Sequence, residues 1–500
     1  MEQPKFPRLA YNSFSIAGVV LAVVMGMIGL IMLLINVSME QTNAYFGIFL
    51  YMVLPALLVL GLLLIPVGMY RRWRLWQRGE SVSERKWPHI DLNNSHHRNA
   101  TIVFVLGTVL FVTLSAVGSY QAYHFTESVT FCGTTCHKIM EPEHTAYLQS
   151  PHARVACTEC HVGYGAGWYA KSKLSGSYQV YAALFNKYPR PIPTPIHNLR
   201  PARETCEQCH WPEKTYGTGL RKFTHYMYDD ANTRWSAMIL LKTDTGEPGL
   251  GQRAGIHWHI NKDIKIEYIS RDERRQDIPW VRVTDRKTGK QTVYQDNAQP
   301  LDEQTFASSE IRKMDCIDCH NRPSHVYHSP DYAVDRVIEG GMIDPSLPSI
   351  KKVAVEALTL EYGTKDSASA GIAEAITSHY QSGDQTTAPD KITGSIAGAQ
   401  QAFAQNIFPH MKARWSAYPN NIGHFNDRGC MRCHDGAHQT AAGVKISHDC
   451  KACHTIMMQG ADNSVERDSS GTGLEFKHPI DIDNAWKETG CYECHQGVQP

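Results

Sequence analysis

No cysteine of this 500-residue chain stands apart from another, no lysine or arginine occurs between Arg8 and Arg71, and no charge of either sign is in excess, with 49 Lys plus Arg against 49 Asp plus Glu. The first absence argues against a lone catalytic thiol. The second excludes an ordinary solvated N-terminal domain, because so long a stretch without a cation is not a water-facing surface. The third, with a pI near 7.3, gives no case for nucleic-acid binding, which needs a basic face.

What is present is one motif, repeated. The fourteen cysteines fall into groups closed by a histidine: Cys132, Cys136 and His137; Cys157, Cys160 and His161; Cys206, Cys209 and His210; Cys316, Cys319 and His320; Cys430, Cys433 and His434; Cys450, Cys453 and His454; Cys491, Cys494 and His495. A single Cys-x-x-Cys-His is equally compatible with half a zinc site or a redox dithiol, but the repetition leaves no cysteine for either. It is the attachment signature of a c-type haem, in which two thiols join the porphyrin vinyls and the next imidazole is placed beneath the iron. Seven covalently bound haems are expected. Seven of the 25 histidines are used by the motifs, and the others form the pool for second axial ligands.

Apolar runs over Ser13 to Val37, Ala44 to Tyr70 and Ala100 to Tyr120 are each long enough to cross a ~30 Å hydrocarbon core as a helix. Lys5 and Arg8 precede the first, Ser38 to Asn43 carries no cation, and Arg71, Arg72, Arg74, Arg78, Arg85, Lys86 and Arg98 crowd the connection before the third. Positive residues stay on the cytoplasmic side, so residues 1–12 and the basic loop 71–98 are expected there, with everything after Tyr120 outside. A cleaved signal peptide does not fit the first run, which is too long and has no small-residue cleavage site. The three runs contain no histidine, so no b-type haem is expected within the bilayer. His96, His97 and His124 read as interfacial polar residues.

The expected architecture is a membrane-anchored multihaem cytochrome c with a three-helix anchor over 13–120 and a mostly α-helical or irregular, haem-packed periplasmic part carrying a small β insertion. The motifs divide the outer part into a first cluster over 121–225, a β-rich insertion over 226–310, a fourth motif with a helical segment over 311–418, and a last cluster over 419–500. Alternating runs at Trp235 to Leu241, Ile264 to Ile269 and Trp280 to Thr284 predict antiparallel strands. Ala-rich stretches at Ile350 to Tyr362, Ala368 to Tyr380 and Ile396 to Phe408 predict helices.

The stretches FCGTTCHKIM from Phe131, SPHARVACTECH, GWYAKSKLSGSYQVYAALFNKYPRP and NLRPARETCEQCHWPEK resemble the NapC/NirT family of membrane-anchored multihaem quinol dehydrogenases, and among them the long seven-haem members linked to extracellular electron transfer. The resemblance is strongest over Ala100 to Lys214. It implies oxidation of menaquinol or ubiquinol at the outer face of the bacterial inner membrane. Electrons would then pass to periplasmic cytochromes or a periplasmic reductase, by a homo-oligomer or as a subunit of a complex. It also implies that Lys173 lies near the quinol, with Lys171 beside it, and that His152, five residues before Cys157, is an axial ligand of a neighbouring haem. Further ligands are nominated from the histidine-bearing stretches near the motifs: His225, His257, His259, His325, His424, His438 and His478. His144, His197, His328, His379, His410 and His448 read as surface or hydrogen-bonding histidines. The first motif has an extra residue between its cysteines and Met140 three residues beyond His137, so the haem-one ligand is either His137 or Met140. Two other functions compete: a nitrite- or hydroxylamine-type reductase with one open iron, and a non-catalytic subunit bridging a quinol-oxidising partner to other cytochromes.

Overall fold

The computed structural model describes residues 9–38, 53–78, 90–135, 137–163, 165–196, 199–212, 217–246, 254–381 and 389–498. The chain divides into two compact units: one made of Met1–Cys132 with Cys157–Ser177, the other of Gly133–Ala156 with Tyr178–Pro500.

The first unit is built on three helices long and apolar enough to cross a membrane: α1 (Ser13–Ser38), α2 (Leu54–Gln77) and α3 (Ser95–Glu127). Met32, Leu54, Ala116 and Tyr120 form a small buried cluster among them, and small residues bring the first two backbones close together. A Cβ added at Gly18 would lie 2.5 Å from the Gly61 carbonyl oxygen, and one at Gly61 would lie 2.7 Å from the Ala22 nitrogen. Ser15, 1 % exposed, donates its hydroxyl to the Ile65 carbonyl across this contact at 2.9 Å. α3 starts at an Asn94 cap whose side chain accepts from the His96 amide. The basic connection is narrower than the sequence suggests: Arg71, Arg72 and Arg74 extend α2, and Arg98 lies inside α3. Lys5, Arg8, most of the Ser38 to Asn43 turn, Arg85 and Lys86 lie outside the described residues.

The second unit begins with the rest of the first motif and α4 (His137–Leu148); α5 (Ala166–Leu184) runs from the first unit into the second. Two antiparallel sheets follow. One orders its strands β1 (Thr218–Tyr226), β2 (Arg234–Lys242), β8 (His454–Ala461), β9 (Glu466–Arg467); the other orders β6 (Arg312–Lys313), β3 (Ile264–Ile269), β4 (Trp280–Asp285), β5 (Gln291–Asp296), β7 (His438–Gln439). The three strands expected from alternation are β2, β3 and β4. The expected boundaries do not separate independent parts. Tyr226 ends β1, so the 225/226 division cuts a strand, and β7, β8 and β9 come from the last motif cluster to complete both sheets. Unpaired strand edges find their hydrogen bonds wherever the chain returns, and here it returns beyond residue 419.

Helices α6 (Pro330–Glu339), α7 (Ile350–Thr359), α8 (Lys365–Gln381) and α9 (Pro389–Asn406) pack around Val334, Ile343, Ile350, Ala354, Ile372 and Ala399, all fully buried. The Ala-rich predictions correspond to α7, α8 and α9. α6 was not among them, although Ser329 caps it and Pro330 opens it, a standard helix start.

Candidate haem-binding sites

Short turns carry the motifs. Cys157–His161, Cys316–Cys319 and Cys491–Cys494 are single α turns, while Gly429–Arg432 and Cys450–Ala452 are tighter 3-10 turns. Such a turn sets two thiols on one side and the following imidazole beneath them. At the fourth motif the turn is held by a capping box, in which Asp315 accepts from the Cys316 amide and Asp318 accepts from the Asp315 amide at 2.7 Å. Asp318 is 2 % exposed and also takes Arg275 at 3.0 Å, Arg312 at 2.9 Å and the Tyr268 hydroxyl at 2.8 Å. In the fifth motif the intervening residue Arg432 donates to the Asp318 carbonyl at 2.7 Å and to the Arg275 carbonyl at 2.8 Å. These two spacer residues tie neighbouring motifs together. Neither was singled out from the sequence, where the spacer positions carry no signal of their own.

Within each unit, successive motifs adjoin one another. The Cys132 and Cys157 thiols are in hydrogen-bond contact, as are those of Cys206 and Cys316. Cys319 lies within electrostatic reach of Cys433, Cys430 of Cys453, and Cys450 of Cys491. Motifs three to seven therefore form an unbroken series within the second unit.

Five of the eight nominated histidines face a motif histidine. Ring centroids are 6.0 Å apart for His152 and His210, 6.3 Å for His257 and His320, 5.8 Å for His259 and His434, 6.2 Å for His424 and His454, and 6.0 Å for His478 and His495. Metal–imidazole bonds of about 2 Å, with each ring centre about 1.1 Å beyond its nitrogen, put two imidazoles on one metal ion about 6 Å apart. All five pairs fit an iron held between two rings. The partners also present the correct nitrogen. The Nδ1 atoms of His152, His257, His259 and His478 are hydrogen-bonded to the carbonyls of Pro323 (3.3 Å), Thr243 (2.7 Å), Ile256 (2.7 Å) and Ile480 (2.9 Å). A backbone carbonyl on Nδ1 fixes the tautomer and directs Nε2 to a metal. Burial pushes His259, His424, His454 and His495 below the usual imidazole range, toward the neutral form that ligates.

His257 and His259 share one 3-10 turn, Ile256–Ile260, and face the histidines of two successive motifs, the fourth and the fifth. His325 has the same anchoring, with Nδ1 3.0 Å from the Glu143 carbonyl.

Two nominations change. His438 is 1 % exposed, with Nδ1 at 2.9 Å from Asp435 Oδ1 and Nε2 at 2.7 Å from the Ile278 carbonyl. Both nitrogens are taken up by protein acceptors, so neither is turned to an iron. Burial opposes a charge on the ring, but Asp435 and the carbonyl prevail and raise its pKa. His438 is a structural link between the motif-five loop and the sheet. His225 is set against Asp335 at 3.1 Å and stacks on Phe425, which in turn stacks on His495 at 4.5 Å. His225, Asp331 and Asp335 have the donor atoms of a cation site, but Lys351 Nζ is 2.6 Å from each carboxylate and already fills that role.

At the first motif, Cys136 and the side chain of His137 lie outside the described residues, and Met140 is one turn along α4. The His144 ring packs on Gly133, where a Cβ would lie 2.3 Å from its Cδ2, so this motif tolerates no side chain there. His144, expected to be a surface or hydrogen-bonding histidine, projects from α4 and packs against the motif-one turn. Lys171 is exposed on α5, its ammonium 4.8 Å from the Trp168 ring centre; the side chain of Lys173 is outside the described residues.

The N-terminal-region model of the NapC/NirT cytochrome c family matches residues 94–191. Over 495 residues, 98 % of this chain and 96 % of the relative, the sequence is 45 % identical to the cytochrome c-type protein ImcH of Geobacter sulfurreducens. No solved structure matches the chain. With three membrane-length helices, repeated haem-attachment motifs and facing histidine pairs, the chain belongs to the NapC/NirT family of membrane-anchored multihaem c-type cytochromes.

Proposed function

We propose that this protein is a seven-haem quinol dehydrogenase of the bacterial inner membrane. It oxidises menaquinol or ubiquinol at a membrane-proximal haem and delivers electrons to a periplasmic cytochrome or reductase, with its N-terminus cytoplasmic and the outer part periplasmic. The observation that carries this reading is the content of the first unit: the three apolar helices, the Cys132–Cys157 thiol contact and the Lys171/Lys173 stretch of α5 belong to one compact body. A quinol confined to the bilayer must meet its acceptor at the membrane surface, and Cys132, which opens the first motif, and the whole second motif belong to the membrane unit.

The haems supply one-electron transfer. The chain's own part is to hold them, with His137 or Met140 at the first motif and His161, His210, His320, His434, His454 and His495 at the others. His152, His257, His259, His424 and His478 are the opposing ligands of motifs three to seven, and His325 is a further distal ligand. Lys173, with Lys171 two residues before it on the same helix, is the group to hydrogen-bond the quinol oxygen or help move its proton. Ligands on both sides of motifs three to seven argue against a reductase with an open iron in that series, so the runner-up is the bridging subunit.

The test is stopped-flow absorption of the detergent-solubilised protein mixed anaerobically with a menaquinol analogue, for wild type and Lys173→Ala. Fast reduction of the α-band, slowed in the variant, is expected. No reduction by any quinol, in protein that dithionite reduces fully, would establish the bridging role instead.

A further inference from the structure

Arg322 follows the motif histidine His320 by two residues and is 7 % exposed. Its guanidinium is sandwiched between two rings, 4.9 Å from the centre of Tyr327 and 4.2 Å from that of Tyr418. Nε donates to the His325 carbonyl. Nη2 is buried and has no hydrogen-bond partner among the described residues. Tyr327 also connects Arg322 to a second incomplete group: its hydroxyl donates to Glu143 Oε1 at 3.0 Å, while Glu143 Oε2 is buried without a partner. The guanidinium lies within electrostatic reach of this carboxyl without a direct ion pair to it.

A cation removed from water and left with an unmet donor is a costly arrangement unless a further group completes it. The two tyrosine faces fix the plane of the guanidinium and Nε is committed, so the unpartnered Nη2 donates within a fixed plane. What suits it is a planar anion with an oxygen acceptor, above all a carboxylate. Every c-type haem brings two propionate carboxylates, and Arg322 is placed immediately after a haem motif.

We propose that Arg322 Nη2 binds a haem propionate, in a pocket beside Tyr327 and Tyr418, and that this fixed positive charge holds one haem at a higher potential than the solvent-facing ones. The proposal rests on haem attachment at the motifs and not on quinol oxidation. Arg322 acts as a positioning and tuning residue.

A cryo-electron microscopy map of the haem-loaded wild-type protein decides the contact: a propionate oxygen about 3 Å from Nη2 is expected, and a water or empty density there overturns the proposal. The consequence is read by potentiometric titration of the α-band with chemical mediators, which needs no quinol. In Arg322→Gln one component moves to lower potential, Arg322→Lys recovers part of the shift, and haem content per chain is unchanged. Curves superimposable on wild type would overturn the tuning role. Replacing chloride by acetate at constant ionic strength separates the sources: a free carboxylate in the pocket makes the wild-type curve acetate-sensitive and refutes the propionate, which predicts no effect. Should Arg322→Gln fail to load haem, the wild-type map stands as the deciding measurement.

Discussion

Arg432 Nη2 donates to the backbone carbonyl of Asp318 at 2.7 Å, joining the spacer residues of two consecutive haem motifs. Asp318 is the hub of this contact, since its carboxylate also holds Arg275 and Arg312. Removing the buried carboxylate leaves two partly buried guanidiniums without their counter-charge. Asp318→Ala is therefore expected to cost about 3–5 kcal/mol and to lower the thermal midpoint of the second unit by circular dichroism. Asp318→Asn, which keeps the capping position but not the charge, falls between. A midpoint unchanged in Asp318→Ala would mean that the hub is not a stabilising element.

The helical part of the second unit has its own buried charge. Lys351 is fully buried, with Nζ 2.6 Å from Asp335 Oδ1 and 2.6 Å from Asp331 Oδ1, and Tyr228 donates to the same Asp331 oxygen at 2.9 Å. Two carboxylates depend on one ammonium, so Lys351→Ala should destabilise by about 3–5 kcal/mol. Lys351→Ala combined with Asp335→Asn should be less harmful than Lys351→Ala alone, because it removes one of the stranded charges. Urea melts of the three variants measure the coupling, and a simple sum of the two effects would contradict it.

Acid sensitivity has a local source at Glu339. Arg234 grips its carboxylate with two bonds, Nη2 to Oε1 at 2.7 Å and Nε to Oε2 at 3.1 Å, and this holds its pKa down at about 2. A carboxylate whose folded pKa is depressed stabilises the fold above its unfolded value of about 4.3 and loses that contribution as pH falls toward the folded value. The loss is thus expected between about pH 4 and pH 2, and it is modest, because the pair is partly exposed and screened. Glu339→Gln should flatten stability against pH across that interval and leave the neutral-to-alkaline limb parallel to wild type. An unaltered acid limb would place the sensitivity elsewhere.

The sequence made the chemistry legible and hid the partnerships. A Cys-x-x-Cys-His motif and a membrane-length apolar run are local signals, complete within a few residues or one helix, and each of the described ones is where it was expected. The pairing of His259 with His434 joins distant segments, and no spacing rule encodes it. His438 misled for the same reason: its neighbours in sequence resemble those of a ligand, and only the fold brings the Ile278 carbonyl onto its second nitrogen. The sheet boundaries were misplaced because β8 pairs with β2 from the far end of the chain, so that what reads as an insertion is finished by the last motif cluster.

The facing rings differ in a way that spectroscopy reads directly. Their planes are near parallel for His257 and His320 (17°), His424 and His454 (20°) and, less closely, His478 and His495 (33°), but nearly perpendicular for His152 and His210 (78°) and His259 and His434 (76°). Parallel imidazoles split the iron d orbitals that point between the ligands, whereas perpendicular ones leave them close in energy. The fully oxidised protein should accordingly give two kinds of low-spin ferric electron paramagnetic resonance signal, an ordinary rhombic one and a highly anisotropic one. His259→Met replaces one perpendicular imidazole by a thioether. It should diminish the anisotropic signal, leave the rhombic one in place, and raise the potential of a single haem, since a methionine ligand favours the reduced iron. A spectrum in which His259→Met depletes the rhombic signal instead would show that the 76° arrangement of His259 and His434 is not the one adopted around the iron.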